Sequence, residues 1–127
     1  MKYDEFVKQV RERAEVSRED AESAALSTLA VLGERLEAGE ATDLASQLPQ
    51  ELGDAVGSSK GTGETFSASD FVERVADRED IAPNDADKRV RAVLATVQEA
   101  VTGGQMEHVL SQLPTDYLEL MSGTHRP

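Results

Sequence analysis

Residues 6–52 of this chain recur without a gap as residues 71–117. Phe6-Val7 aligns with Phe71-Val72, Val10 with Val75, Asp20-Ala21 with Asp85-Ala86, and Leu29-Ala30 with Leu94-Ala95. Gly39 aligns with Gly104, and Ser46-Gln47-Leu48-Pro49 with Ser111-Gln112-Leu113-Pro114. Of these 47 pairs 14 are identical, and most of the others exchange like for like. A 65-residue period predicts two copies of one supersecondary unit, each needing the other to cover its apolar face.

Each copy reads as helical. Phe6, Val7, Val10 and Ala14 recur at helical spacing and predict a first helix ending near Glu15, followed by a buried connector, Val16. Ser17 stands where an N-cap belongs, its hydroxyl in reach of the Asp20 amide, and the Asp20 carboxylate is expected to reach back. A long second helix carries Ala21, Ala25, Leu29, Leu32 and Leu36 on one stripe, with Gly39 as its expected left-handed stop. Two short helices follow, one presenting Leu44 and Leu48 and one starting at Pro49 with Leu52 inward.

The second copy uses different letters for the same devices. Ser67 or Ser69 caps the helix bearing Phe71, Ile81 replaces Val16, and Pro83 opens the long helix. Its stripe is Ala86, Val90, Leu94, Val97 and Val101, stopped by Gly104; Met106 and Val109 then face inward, and Tyr117 takes the place of Leu52. No β-branched alternation marks a strand. The expected fold is all-α: two tandem helical repeats, each a first helix, a long second helix and two short helices, packed as one pseudo-symmetric bundle. The boundaries are repeat 1 at 1–55, a flexible Gly/Ser/Thr-rich linker at 56–66, repeat 2 at 67–121 and a frayed tail at 122–127. A chain of 127 residues is long enough to bury one shared core, so one compact domain is expected.

Composition narrows the function. The net charge is −12, with 13 acidic and 6 basic side chains in residues 1–55 and 11 and 6 in residues 67–127. Such a field repels nucleic acid and anionic lipid, leaving Lys88, Arg89 and Arg91 as the one local basic cluster to watch. Absent cysteine excludes thiol chemistry and thiolate metal sites. No apolar run approaches the roughly 18–20 residues of a membrane span, and the N-terminus lacks a signal-peptide core, so a cytoplasmic protein is expected. The acidic surface suits a salt-rich cytoplasm, although a GC-rich genome gives a similar bias.

No catalytic, cofactor-binding or metal-ligating residue set emerges. His108 lacks a helical His or Glu ligand partner and aligns with Asp43, which makes it an exposed polar residue; His125 lies in the tail. Asp20 and Asp85 are the repeated carboxylates, and helix capping explains them. Gln47 and Gln112 are expected to bond loop backbone near them. Gly57-Ser58-Ser59-Lys60-Gly61 resembles a phosphate loop only in composition. Leu26, Val31 and Val93 lie off the main stripes, and burial between the halves is the default reading for them.

The Phe6-Val7-x-x-Val10 start, the Gly39-Glu40…Gln47-Leu48-Pro49 segment and its counterpart Gly104-Gln105…Gln112-Leu113-Pro114 resemble the bacterial and archaeal family called domain of unknown function 2267. The resemblance covers nearly the whole chain and implies a small all-α fold of two related halves. It implies no activity, cofactor or catalytic residue. Function therefore rests on the residues, which favour a non-catalytic protein-interaction or regulatory module, self-association included. The alternatives are a small-molecule binder or carboxylate-dependent enzyme at the seam between the repeats, and an acidic mimic of nucleic acid.

Overall fold

The computed structural model of the chain describes residues 1–58 and 62–122. These residues form eight α-helices and no strand: α1 (Tyr3–Ala14), α2 (Arg18–Arg35), α3 (Ala38–Ser46), α4 (Gln50–Gly57), α5 (Ala68–Glu79), α6 (Pro83–Ala100), α7 (Gly103–Ser111) and α8 (Tyr117–Met121). The lookalike phosphate loop and the tail fall partly outside them, at 59–61 and 123–127.

Local chemistry explains most boundaries. The α1 and α5 helices end on left-handed residues, Glu15 at φ 56° and Asp80 at φ 54°. The next amides, of Val16 and Ile81, then bond back five residues to the carbonyls of Arg11 and Ala76, closing a Schellman turn. Ser17 and Ser67 cap α2 and α5 by accepting the amides of Asp20 and Asp70 at 3.1 and 3.0 Å. Thr102, a cap the sequence reading missed, accepts the Gln105 amide at 3.2 Å and starts α7.

The expected glycine stops are corrected. The long helix α2 ends at Arg35 because Leu36 turns extended (φ −91°, ψ 152°), and α6 ends at Ala100 because Val101 does the same. Gly39 and Gly104 instead lie in the first turns of α3 and α7. A buried Leu36 anchors the chain through that corner, so no left-handed glycine is required.

The long helices α2 and α6 contact each other, and each also packs on both α1 and α5. The core is accordingly one continuous cluster, from Phe6, Val10, Leu29 and Leu32 to Phe71, Val75, Val90 and Leu94. Each fully buried side chain of this size contributes about 1.5–3 kcal/mol of transfer free energy. Val31 and Val93 are fully buried, whereas Leu26 is 39 % exposed. Polar ties cross the same interface. Arg13 on α1 donates to Thr96 and Glu99 on α6, and Ser23 and Ser27 on α2 donate to Glu79 on α5.

The stretch read as a linker holds two buried side chains, Val56 and Phe66. Gly63, at φ 65°, lets the chain turn so that its amide bonds Leu36 O and that of Glu64 bonds Glu34 O, both at 3.0 Å. Arg74 then stacks over the Phe66 ring at 3.8 Å while pairing with Glu34 and Glu64. None of the helices is long and apolar enough to cross a membrane.

Candidate functional site

The residues singled out in the sequence are not gathered at one place. Asp20 and Asp85 are both exposed in the first turns of α2 and α6. The Asp20 carboxylate, expected to reach back to its own helix start, goes to Arg89 at 3.5 Å. The Lys88–Arg89–Arg91 cluster is not a free basic patch, since Lys88 pairs with Glu15, Arg89 with Asp20, and Arg91 with Asp87 and Glu119. His108 is exposed on α7. Among the described residues no group of three or more His, Asp or Glu side chains is placed to hold a metal ion.

Gln47 and Gln112 do bond loop backbone, but across the molecule. The side-chain oxygen of Gln47 accepts the Thr102 amide at 2.8 Å, and that of Gln112 accepts the Glu37 amide at 3.0 Å. Each glutamine ends one short helix and satisfies an orphan amide at the start of the other. Gln105 adds a side-chain bond to Glu40 in the same junction. The paired Gln-Leu-Pro motifs therefore clamp α3 to α7. Their role is structural.

Concave surface occurs beside α8. One cleft of about 430 Å³ lies between α5, α6 and α8, with a floor that includes Ala68, Val72 and Leu120. Glu73, Asp87, Asp116 and Glu119 stand around it. Arg91 is fixed in the wall by Asp87 at 2.9 Å, the Glu119 carbonyl at 2.8 Å and the Glu119 carboxylate at 3.3 Å. Burial opposes its charge, but hydrogen bonds to Asp87 and Glu119 outweigh that and hold its pKa above the usual value.

The 65-residue register gives this cleft a smaller counterpart in the first half, about 260 Å³ and lined by Asp4, Val7, Lys8, Arg11 and Arg18, four of which align with Ser69, Val72, Glu73 and Pro83. Ala68 aligns with Tyr3, Asp87 with Glu22, and Asp116 with Glu51. The Tyr3 hydroxyl donates to Glu22 at 2.8 Å. Burial, that hydrogen bond, and the Glu22 and Glu51 charges push the Tyr3 phenol up to about 12. A tyrosine thus occupies the space beside Glu22 and Glu51 that the alanine leaves open beside Asp87 and Asp116.

A second substitution in the same register moves α8 itself. Gly53 on α4 aligns with Leu118 on α8. A Cβ at Gly53 would stand 2.7 Å from the Ala45 carbonyl oxygen, so only glycine lets α4 close on α3. The α4 helix packs on α2 and α3, whereas α8 packs on α6 and leaves Leu118 56 % exposed.

On the other side of the turn before α8 lies a second cleft of about 440 Å³, lined by Arg35, Thr65, Phe66, Ser67, Pro114, Thr115 and Asp116. Phe71 and Tyr117 meet edge to face behind it at 5.8 Å. The Tyr117 hydroxyl donates to Phe66 O at 2.8 Å. Burial pushes the Tyr117 phenol up to about 12 against the opposing pull of the Arg35 guanidinium. The signal for both clefts was present in the alignment as a small-for-large exchange, Ala68 for Tyr3, and a charged-for-apolar one, Arg35 for Ala100.

A family model described as "Uncharacterized conserved protein (DUF2267)" matches residues 3–120 of this chain. No curated protein matches it.

Proposed function

The chain belongs to the DUF2267 family, and on that premise we propose that it is a non-catalytic helical binding module whose second half carries the recognition surface. The observation that carries this reading is the cleft between α5, α6 and α8, about 430 Å³ against about 260 Å³ at the aligned place in the first half, where Tyr3 stands in place of Ala68. We read the scaffold as two tandem, pseudo-symmetric units in one cytoplasmic domain. In support, the helix pairs α1/α5, α2/α6 and α3/α7 begin and end 65 residues apart, and the Gln47 and Gln112 clamps are reciprocal. Duplication supplies the frame, and loss of one tyrosine and one glycine frees a face of it.

The partner class follows from charge and shape. An apolar floor beside Glu73 and Asp116, with Asp87 and Glu119 paired to Arg91 in the wall and Leu118 exposed nearby, suits a basic amphipathic segment of another protein. A second copy of a chain with net charge −12 suits it poorly, because like fields repel. The carboxylate-enzyme alternative loses its named residues, since neither Asp20 nor Asp85 lines a cleft.

The test is an affinity purification that compares the wild type with Ala68→Tyr, a substitution that copies the first half. Proteins retained by the wild type, lost with Ala68→Tyr and released by salt support the reading. Equal retention by both forms contradicts it.

A further inference from the structure

We infer that the cleft at the end of α2 is an anion site built on Arg35, which takes the carboxylate of a small organic acid. Arg35 is 7 % exposed and is the one ionised side chain in the buried set of described residues. A buried charge is costly unless it is paired. Arg13, Arg18, Arg74, Arg89 and Arg91 each have a carboxylate within 4 Å. Arg35 has none among the described residues, in a chain with 25 acidic side chains.

What Arg35 does touch is neutral. Its Nε donates to Phe66 O at 3.2 Å, and its guanidinium carbon lies 5.6 Å from the Tyr117 ring centre and 6.0 Å from that of Phe66. Such ring contacts stabilise a cation and leave its charge uncompensated. Its guanidinium also lies within hydrogen-bonding reach of the Tyr117 hydroxyl, a partner that is neutral as well. Arg35 itself lines the 440 Å³ cleft. The scaffold does not require a cation there, since the aligned residue in the other half is Ala100.

The lining selects the kind of anion. A guanidinium fork matches the two oxygens of a carboxylate. Asp116, whose one oxygen caps the Ala68 amide at 2.9 Å, lines the same cleft and repels a dianion more than a monoanion. Phe66 and Pro114 offer apolar surface for a hydrocarbon body, and Thr65 and Thr115 lie beside them. The fork also matches a phosphate group, but inorganic phosphate brings no hydrocarbon body and its higher charge is repelled by Asp116.

The experiment titrates the full chain with benzoate, acetate and inorganic phosphate while following the Arg35 Nε–H and the amides of Phe66, Ser67 and Thr115 by NMR. Benzoate is expected to give saturable shifts at these groups, and acetate and phosphate weaker ones. Arg35→Lys should weaken benzoate about tenfold by replacing a fork with a point charge. Because Arg35 variants risk the fold, Asp116→Asn is the decisive form. It keeps the oxygen that caps Ala68, removes the repelling charge, and should tighten benzoate about threefold or more. The inference is overturned if benzoate gives no saturable shift, if phosphate binds more tightly than benzoate, or if Asp116→Asn leaves the affinity unchanged.

Discussion

The last helices of the two halves, α4 and α8, occupy aligned positions and do different work. Against α2 and α3, α4 closes the first half, helped by the missing side chain of Gly53 and by Tyr3 lying against Glu22. With Leu118 at the aligned position, α8 packs on α6 and stands between two clefts. Two single-residue differences thus accompany a narrower cleft at one end, about 260 Å³, and a wider one at the other, about 430 Å³. One continuous core holds the scaffold while α8 gives up packing for concave surface.

That comparison breaks most severely at Gly53. Gly53→Leu forces a side chain into the Ala45 carbonyl and should cost about 3 kcal/mol or more, with Gly53→Ala costing about 1–2. Leu118→Gly should cost only about 1 kcal/mol, the helix-propensity penalty of glycine, because Leu118 is mostly in solvent. Urea unfolding of the three variants checks the asymmetry. Next in size is Tyr3→Ala, which widens the smaller cleft of the first half. It loses a half-buried ring and the bond to Glu22, about 2 kcal/mol, whereas Ala68→Tyr should be neutral or stabilising.

Smaller effects probe what the halves share. Gln47→Ala and Gln112→Ala each remove a cross-molecule cap and should cost about 1 kcal/mol, equally in the two halves, in thermal unfolding. A clear inequality would show that one clamp carries the α3–α7 junction. Smallest is Thr28→Val. The Thr28 hydroxyl is buried without a hydrogen-bond partner, and the aligned residue is Val93. Valine there should raise stability by up to about 1 kcal/mol.

Much of the fold was legible in the sequence because periodicity and caps act locally. The stripes through Phe6, Val10, Leu29, Leu94 and Val109 point inward as expected, and Ser17 and Ser67 cap their helices. The glycine stops were misread because a buried anchor at Leu36 turns the corner, and burial is a tertiary property. The same limit hid the clefts. That Arg35 is buried, that Ala68 opens a hole and that Gly53 meets the Ala45 carbonyl all depend on which helices meet. Sequence put Gln47 and Gln112 against loop backbone, and only the packing of α3 on α7 reveals that each serves the other half.

Native-state hydrogen exchange tests the contrast between the two ends most directly. The amides of Leu52 and Gly53 in α4 should exchange only through near-global unfolding, whereas those of Leu120 and Met121 in α8 should exchange at least about tenfold faster through local opening. Ala68→Tyr, by filling the cleft, should slow the α8 amides toward the α4 rate. Equal protection of α4 and α8 in the wild type would contradict the claim that α4 is packed more tightly than α8.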